Sequence, residues 1–217
     1  MAYNKLNILH WHINDDQSFP FVSDASYSDR HVYSKHDIQH IIKEARMRAI
    51  QLIIEFNTPA HGHSLAKVFP GKYPFDKDIP IPVGTIVQVW KDRRLLDDDP
   101  RDWKFHVQRL LRFNHTVILS SCYFLNLIQY GQDWKQIYDC DPHDFDGFDQ
   151  QQKQQFVIGG EACVWGEYID QTNFMSRTWP RASAMAERLW SHMIDSHNYD
   201  DDVVHHRLDS HRCRMLG

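Results

Sequence analysis

Residues 34–61 read SKHDIQHIIKEARMRAIQLIIEFNTPAH. Ser34 followed three residues later by Asp37 is a capping-box pattern and predicts a helix start. Ile38, Ile41, Ile42 and Ala45 then recur at helical spacing, one apolar face that packs inward. Ile50 to Phe56 is a short, almost wholly apolar run, as expected of a strand buried on both faces of a parallel sheet. The run ends in Asn57, Thr58 and His61, side chains able to bind or react. A helix feeding such a strand is one step of an alternating α/β chain.

Working outward, Leu6 to His12 predicts a preceding strand. Thr85 to Trp90, Thr116 to Ser121 and Phe156 to Glu161 predict three following ones. Trp103, Val107, Leu110 and Leu111 share one face of a helix, and Arg181 to His192 and Val203 to Met215 predict two more. This alternation argues for an α/β fold with parallel strands. One interval breaks it. Between Pro59 and Gly84 the chain carries Pro70, Pro74, Pro80 and Pro82 and no helical period, although a parallel crossover normally holds a helix. The Gln-rich stretch from Asp144 to Gln155 reads as a solvated loop.

A length of 217 residues fits one domain of roughly 100–200 residues. The 12 Phe, 9 Tyr and 7 Trp can fill a core, which excludes disorder for most of the chain. A net charge of −5 without a Lys/Arg cluster argues against a nucleic-acid partner. No apolar run approaches the roughly 18 residues of a membrane span. Met1 to Lys5 leads straight into a strand-like run, so no signal peptide is expected. The 15 histidines make the net charge strongly pH-responsive between neutral and mildly acidic conditions. Cys122, Cys140, Cys163 and Cys213 form no C-x-x-C, which argues against a zinc ribbon; one disulfide, two, or four thiols all fit.

Polar and aromatic residues gather where the strands end. The first strand ends in His10-Trp11-His12-Ile13-Asn14-Asp15-Asp16, the second in Glu55 to His61, the third in Gln88-Val89-Trp90. The fourth ends in Cys122 to Asn126 and the fifth in Gly159-Gly160-Glu161-Ala162-Cys163-Val164-Trp165-Gly166-Glu167. In a (β/α) barrel the active site lies at the C-terminal ends of the strands. Indole faces suit the apolar side of a sugar ring, and carboxylates and amides suit its hydroxyls. Taken alone, Asp15-Asp16 reads as a turn or a helix cap, and His61-Gly62-His63 reads as chance in a chain with 15 histidines. No metal or cofactor is expected.

These residues resemble a known family. Met1 to Asn7 followed by His10 to Asp16 is similar to the β-N-acetylhexosaminidases of glycoside hydrolase family 20, as are Gly159 to Glu167, Trp179-Pro180-Arg181-Ala182 and Ala186-Glu187-Arg188-Leu189-Trp190. The resemblance runs over nearly the whole chain except roughly residues 62–82. It implies a (β/α)8 TIM barrel, here incomplete, with about five of its eight strands recognisable: the second, third, sixth, seventh and eighth. The fourth and fifth fall at the interruption near 62–84, and the first lies before Met1. The whole of 1–217 is then a partial catalytic domain. The implied reaction removes a terminal, non-reducing β-linked N-acetylglucosamine or N-acetylgalactosamine with retention, the substrate's own acetamide acting as nucleophile.

By position, Asp15 and His61 resemble the pair that supports the catalytic Glu. Trp90 and Trp165 resemble the pocket walls, and Asn126 and Glu167 the hydroxyl-binding groups. Phe124 stands where the family has a Tyr that hydrogen-bonds the acetamide. Asn57 and Ala60 stand where it has Asp and Gly, and Cys213 resembles a disulfide cysteine whose partner lies beyond Gly217. The family's adjacent Asp-Glu pair, on its fourth strand, has no counterpart here. The resemblance therefore implies a hydrolase of abolished or reduced activity, a non-catalytic sugar-binding or regulatory relative, or a truncated product. The implied partners are glycans ending in N-acetylhexosamine, with a homodimer or an association with an intact subunit. The implied location is lysosomal or secreted, and Asn114-His115-Thr116 is a glycosylation sequon in keeping with it.

Overall fold

The computed structural model describes residues 1–57, 84–91, 102–127, 129–191 and 199–217. The chain forms two compact units, Met1–Pro80 and Ile81–Gly217.

The first unit is a β-α-β step. Strand β1 (Ile8–His12) and strand β2 (Gln51–Glu55) pair in parallel with His10 opposite Ile53 and His12 opposite Glu55. Helix α1 (Lys35–Met47) joins them. The predicted capping box is present: the Ser34 side chain accepts from the Asp37 amide, and the Asp37 carboxylate accepts from the Ser34 amide. The helix stops at Ala49, whose φ of 55° is left-handed, and the Ile50 amide donates back to the Ala45 carbonyl. Two expectations need correction. The strand is not buried on both faces: Ile53 and Ile54, on opposite faces, are 39% and 46% exposed. Nor is the whole helix stripe packed, since Ala45 is buried but Ile42 is exposed. A parallel strand is buried on both faces only when neighbours cover both, and among the described residues β2 pairs with β1 alone.

The second unit carries a three-stranded parallel sheet in the order β3-β4-β5: Ile86–Val89, Thr116–Leu119 and Val157–Gly160. Helix α2 (Trp103–Arg112) begins at Asp102, whose carboxylate caps the Phe105 amide, and it buries Trp103, Val107 and Leu111. Val117 and Leu119 of the central strand are wholly buried. Each such side chain contributes about 1.5–3 kcal/mol relative to exposure. The predicted solvated loop at 144–155 is corrected in part: Gln150–Phe156 is a helix, α4, because Asp149 and Gln152 form a reciprocal capping box. Helices α3 (Trp134–Asp139) and α5 (Phe174–Thr178) carry too few turns to show a period in the sequence. Helices α6 (Arg181–Trp190) and α7 (Asp201–Leu216) follow as expected. Trp134, Tyr138, Ala184, Val204 and Leu208 pack into one cluster from α3, α6 and α7. Cys122 bonds to Cys140, which settles the alternatives left by spacing, and Cys213 is exposed. Among the described residues no helix is long and apolar enough to cross a membrane.

Candidate active site

In the first unit the polar groups lie at the C-terminal ends of β1 and β2. His10 donates from Nε2 to the Glu55 carboxylate at 2.9 Å. That hydrogen bond holds the Glu55 carboxyl below the usual range against the opposing effect of burial. Asn14 is fully buried and cross-links the two strand ends. Its Oδ1 accepts from the Asn57 amide at 2.8 Å, and its Nδ2 donates to the Asn57 carbonyl at 3.0 Å. The Asn57 side-chain Nδ2 faces the Asn14 carbonyl at 3.4 Å and His12 Nε2 at 2.5 Å. Asp15, half-buried, sits in a turn: its Oδ1 accepts from the Asp16 amide at 2.7 Å and its own amide donates to the Ser18 carbonyl. His61 lies outside the described residues.

In the second unit five expected site residues follow the strand ends. Trp90 comes directly after β3. Ser121 reaches the backbone on both sides of it, its one hydroxyl proton shared between the Val89 carbonyl at 2.9 Å and the Lys91 carbonyl at 3.0 Å. After β4 and β5 the chain continues in parallel. Phe124 pairs with Cys163, the Leu125 amide donates to the Cys163 carbonyl, and the Cys163 amide to the Tyr123 carbonyl. This brings Asn126 to Glu167: Nδ2 donates to the carboxylate at 3.1 Å. Asn126 is 8% exposed, and its Oδ1 meets no hydrogen-bond partner among the described residues. Trp165 is half-buried and Glu167 exposed on the same post-β5 segment. Gly160 is required where Tyr123 crosses the sheet end: a Cβ there would lie 2.6 Å from the Tyr123 ring and 3.0 Å from the Leu119 carbonyl. Tyr123 is fully buried and donates to the Cys140 carbonyl at 2.8 Å; burial raises its phenol pKa, and Asp141 adds to this.

Two supporting arginines escaped the reading of strand ends. Arg188 pairs with Asp141 at 2.9 Å, both buried. Arg181, 5% exposed, donates to the carbonyls of Leu125 and Leu127 on either side of Asn126. Both belong to the motifs Trp179–Ala182 and Ala186–Trp190, where only their motif membership, not their targets, was legible.

The catalytic-domain model of glycosyl hydrolase family 20 matches residues 1–81 and 75–193. The β-hexosaminidase subunit beta of Sus scrofa is 32% identical over 325 aligned positions, taking in 100% of this chain and 59% of that protein. The Homo sapiens subunit beta is 33% identical, with 100% and 56% covered. The chain thus spans less than two thirds of the length of these relatives, and its 217 residues align across 325 positions. A chitobiase structure from Flavobacterium johnsoniae superposes with a TM-score of 0.79 at 18% identity, covering 99% of this chain and 48% of that one. An exo-β-N-acetylglucosaminidase from Vibrio harveyi, in complex with N-acetylglucosamine, superposes with a TM-score of 0.64 at 16% identity, covering 97% and 53%. At these identities the superpositions show a shared fold.

Proposed function

The chain belongs to glycosyl hydrolase family 20, and on that basis we propose that it recognises the terminal, non-reducing β-linked N-acetylhexosamine of a glycan and hydrolyses it weakly or not at all. The observation that carries this reading is a pairing of presence and absence. The Asn126–Glu167 hydrogen bond is built, while the sequence contains no adjacent Asp-Glu.

The chemistry explains why that absence matters. In substrate-assisted hydrolysis the 2-acetamido oxygen attacks the anomeric carbon and the bond to the leaving oxygen breaks. A carboxylic acid must protonate that oxygen and then take a proton from the incoming water. A neighbouring carboxylate orients the acetamide. General acid–base catalysis contributes roughly 10²–10⁴-fold, which sets the least deficit expected. In this reading Trp90 and Trp165 flank the sugar and its acetamide, and Asn126 and Glu167 take its hydroxyls. Asp15 and His61 keep a supporting role without the group they support. Phe124 cannot donate to the acetamide, a loss of about 2.7–4 kcal/mol in comparable oxyanion sites.

The architecture is part of the proposal. The parallel strands are read as five of the eight in a (β/α)8 barrel interrupted near 62–84. Support comes from the two stretches matched by the family model, which meet at 75–81, and from the 325 positions over which 217 residues align. Lysosomal residence or secretion, and assembly as a homodimer or with an intact subunit, belong to the same reading. The retained Asn126–Glu167 pair also favours a second one, a sugar-binding or regulatory relative without turnover.

The test is hydrolysis of a fluorogenic β-N-acetylglucosaminide from mildly acidic to neutral pH, beside a Glu167→Gln variant and a titration with N-acetylglucosamine. Saturable binding with no turnover is expected. Turnover lost in the variant would overturn the proposed deficit and name Glu167 as the acid. Absence of both binding and turnover would overturn sugar recognition.

A further inference from the structure

Asn126 is held from behind as well as from the front. In front, its amide nitrogen meets Glu167. Behind it, the guanidinium of Arg181 is almost fully buried and spends every nitrogen on fixed acceptors. Nη2 donates to the Leu125 carbonyl at 2.5 Å and to the Arg177 carbonyl at 2.5 Å, and Nε donates to Arg177 again at 2.8 Å. Nη1 donates to the Leu127 carbonyl at 3.4 Å and to the Asp133 carboxylate at 3.1 Å. Leu125 and Leu127 are the immediate neighbours of Asn126, so one rigid fork holds the carbonyls of the residues before and after it.

The clamp is anchored independently of the strand ends. Asp133 precedes α3, Arg177 lies in α5, and Arg181 opens α6. A guanidinium is planar and presents its donors in a fixed geometry, so it sets the direction of the peptides it holds as well as their distance. The direction matters because the buried Asn126 amide must point Nδ2 at the Glu167 carboxylate to hold it.

We infer that Arg181 is a positioning residue for sugar recognition: it aims the Asn126 amide so that Nδ2 holds the exposed Glu167 carboxylate in place for a ligand hydroxyl. The role in recognition rests on the function proposed above, whereas the linkage from Arg181 to Asn126 does not.

The experiment reads the linkage directly. In a ¹⁵N-labelled chain, the Asn126 side-chain amide pair is the one that vanishes in Asn126→Asp. It is expected to be shifted and exchange-protected in the wild type and to move in Glu167→Gln. In Arg181→Lys, which keeps the charge opposite Asp133 but not the fork, protection is expected to fall about tenfold, the equivalent of one lost hydrogen bond. Because an unpaired Asp133 can by itself unfold a variant, Arg181→Met with Asp133→Asn forms the second arm. It removes both charges at similar volume and is expected to abolish the protection while the backbone spectrum stays folded. An unchanged Asn126 signal in either folded variant would overturn the inference, and so would unfolding of both, which would make Arg181 structural only. N-acetylglucosamine titrated into the same samples is expected to bind about tenfold more weakly to Arg181→Lys. A wild type that ignores the sugar while the amide responses hold would overturn the proposed function and leave the Arg181 linkage supported.

Discussion

Strands β2 and β4 are nearly equal as sequence and unequal as structure. Leu52-Ile53-Ile54 and Val117-Ile118-Leu119 are both unbroken apolar runs that end in polar residues. In β4, Val117 and Leu119 are wholly buried; in β2, Ile53 and Ile54 are half open to solvent. Strand β4 has a partner on each edge and α2 packed against it, while among the described residues β2 has β1 on one edge and α1 against it. The same hydrophobic signal is therefore worth different amounts in the two units, because burial belongs to the neighbours as much as to the residue.

The largest test of this contrast compares the two ion pairs. Arg188→Met leaves the buried Asp141 without its guanidinium and is expected to lower the unfolding free energy by about 3–5 kcal/mol in urea denaturation. His10→Gln breaks a half-exposed pair and is expected to lower it by about 1 kcal/mol or less. Equal losses would erase the distinction between the units. Leu119→Ala comes next, with an expected loss of about 2–5 kcal/mol from transfer and cavity terms. Ile53→Ala is expected to lose no more than about 1 kcal/mol, since less area leaves water when it folds. A large effect at Ile53 would show that β2 is covered in solution.

The pH dependence sharpens the comparison at a smaller scale. Burial pushes the Asp141 carboxyl up, but hydrogen bonds from the His143 side chain and backbone, together with Arg188, outweigh it and hold it below the usual range. Glu55 is also held low, first by the His10 hydrogen bond. For a carboxyl depressed in the folded state, the stabilisation is fully present above its unfolded pKa, about 4. It is lost as pH falls through the folded value. Stability is therefore expected to drop below about pH 4. Asp141→Asn should flatten that drop more than Glu55→Gln, as read from urea midpoints against pH.

The smallest effect concerns helix ends. Helices α1 and α2 both stop on a left-handed residue, Ala49 with φ 55° and Asn114 with φ 57°. Asn tolerates this conformation and Ala does not, so Ala49→Gly is expected to stabilise the first unit by about 1 kcal/mol. Asn114→Gly should change stability by only a few tenths. A loss at Ala49 would mean that its methyl packs better than its exposure indicates.

Five parallel strands and the principal helices were legible in the sequence because apolar periodicity is a local property. The capping box at Ser34 and Asp37 was legible for the same reason, since it needs only four residues. The helix at Gln150–Phe156 was hidden because glutamine is neutral to the apolar pattern, even though Asp149 and Gln152 carried the cap. In the candidate site, motif resemblance picked out Asn126 and Glu167, but nothing local joins residues 41 positions apart. Their contact comes from the parallel run after β4 and β5. The Arg181 clamp was still less legible, because its principal targets are backbone carbonyls, which leave no trace in residue identity.

Residue identity alone determined the α/β alternation, the family resemblance and the lack of an adjacent Asp-Glu, because each is written in short segments or long motifs. Tertiary structure alone decided which apolar strand is covered, which cysteines join and which side chains meet. Those outcomes depend on segments distant in the chain arriving at one place, and backbone groups common to every residue do much of the joining.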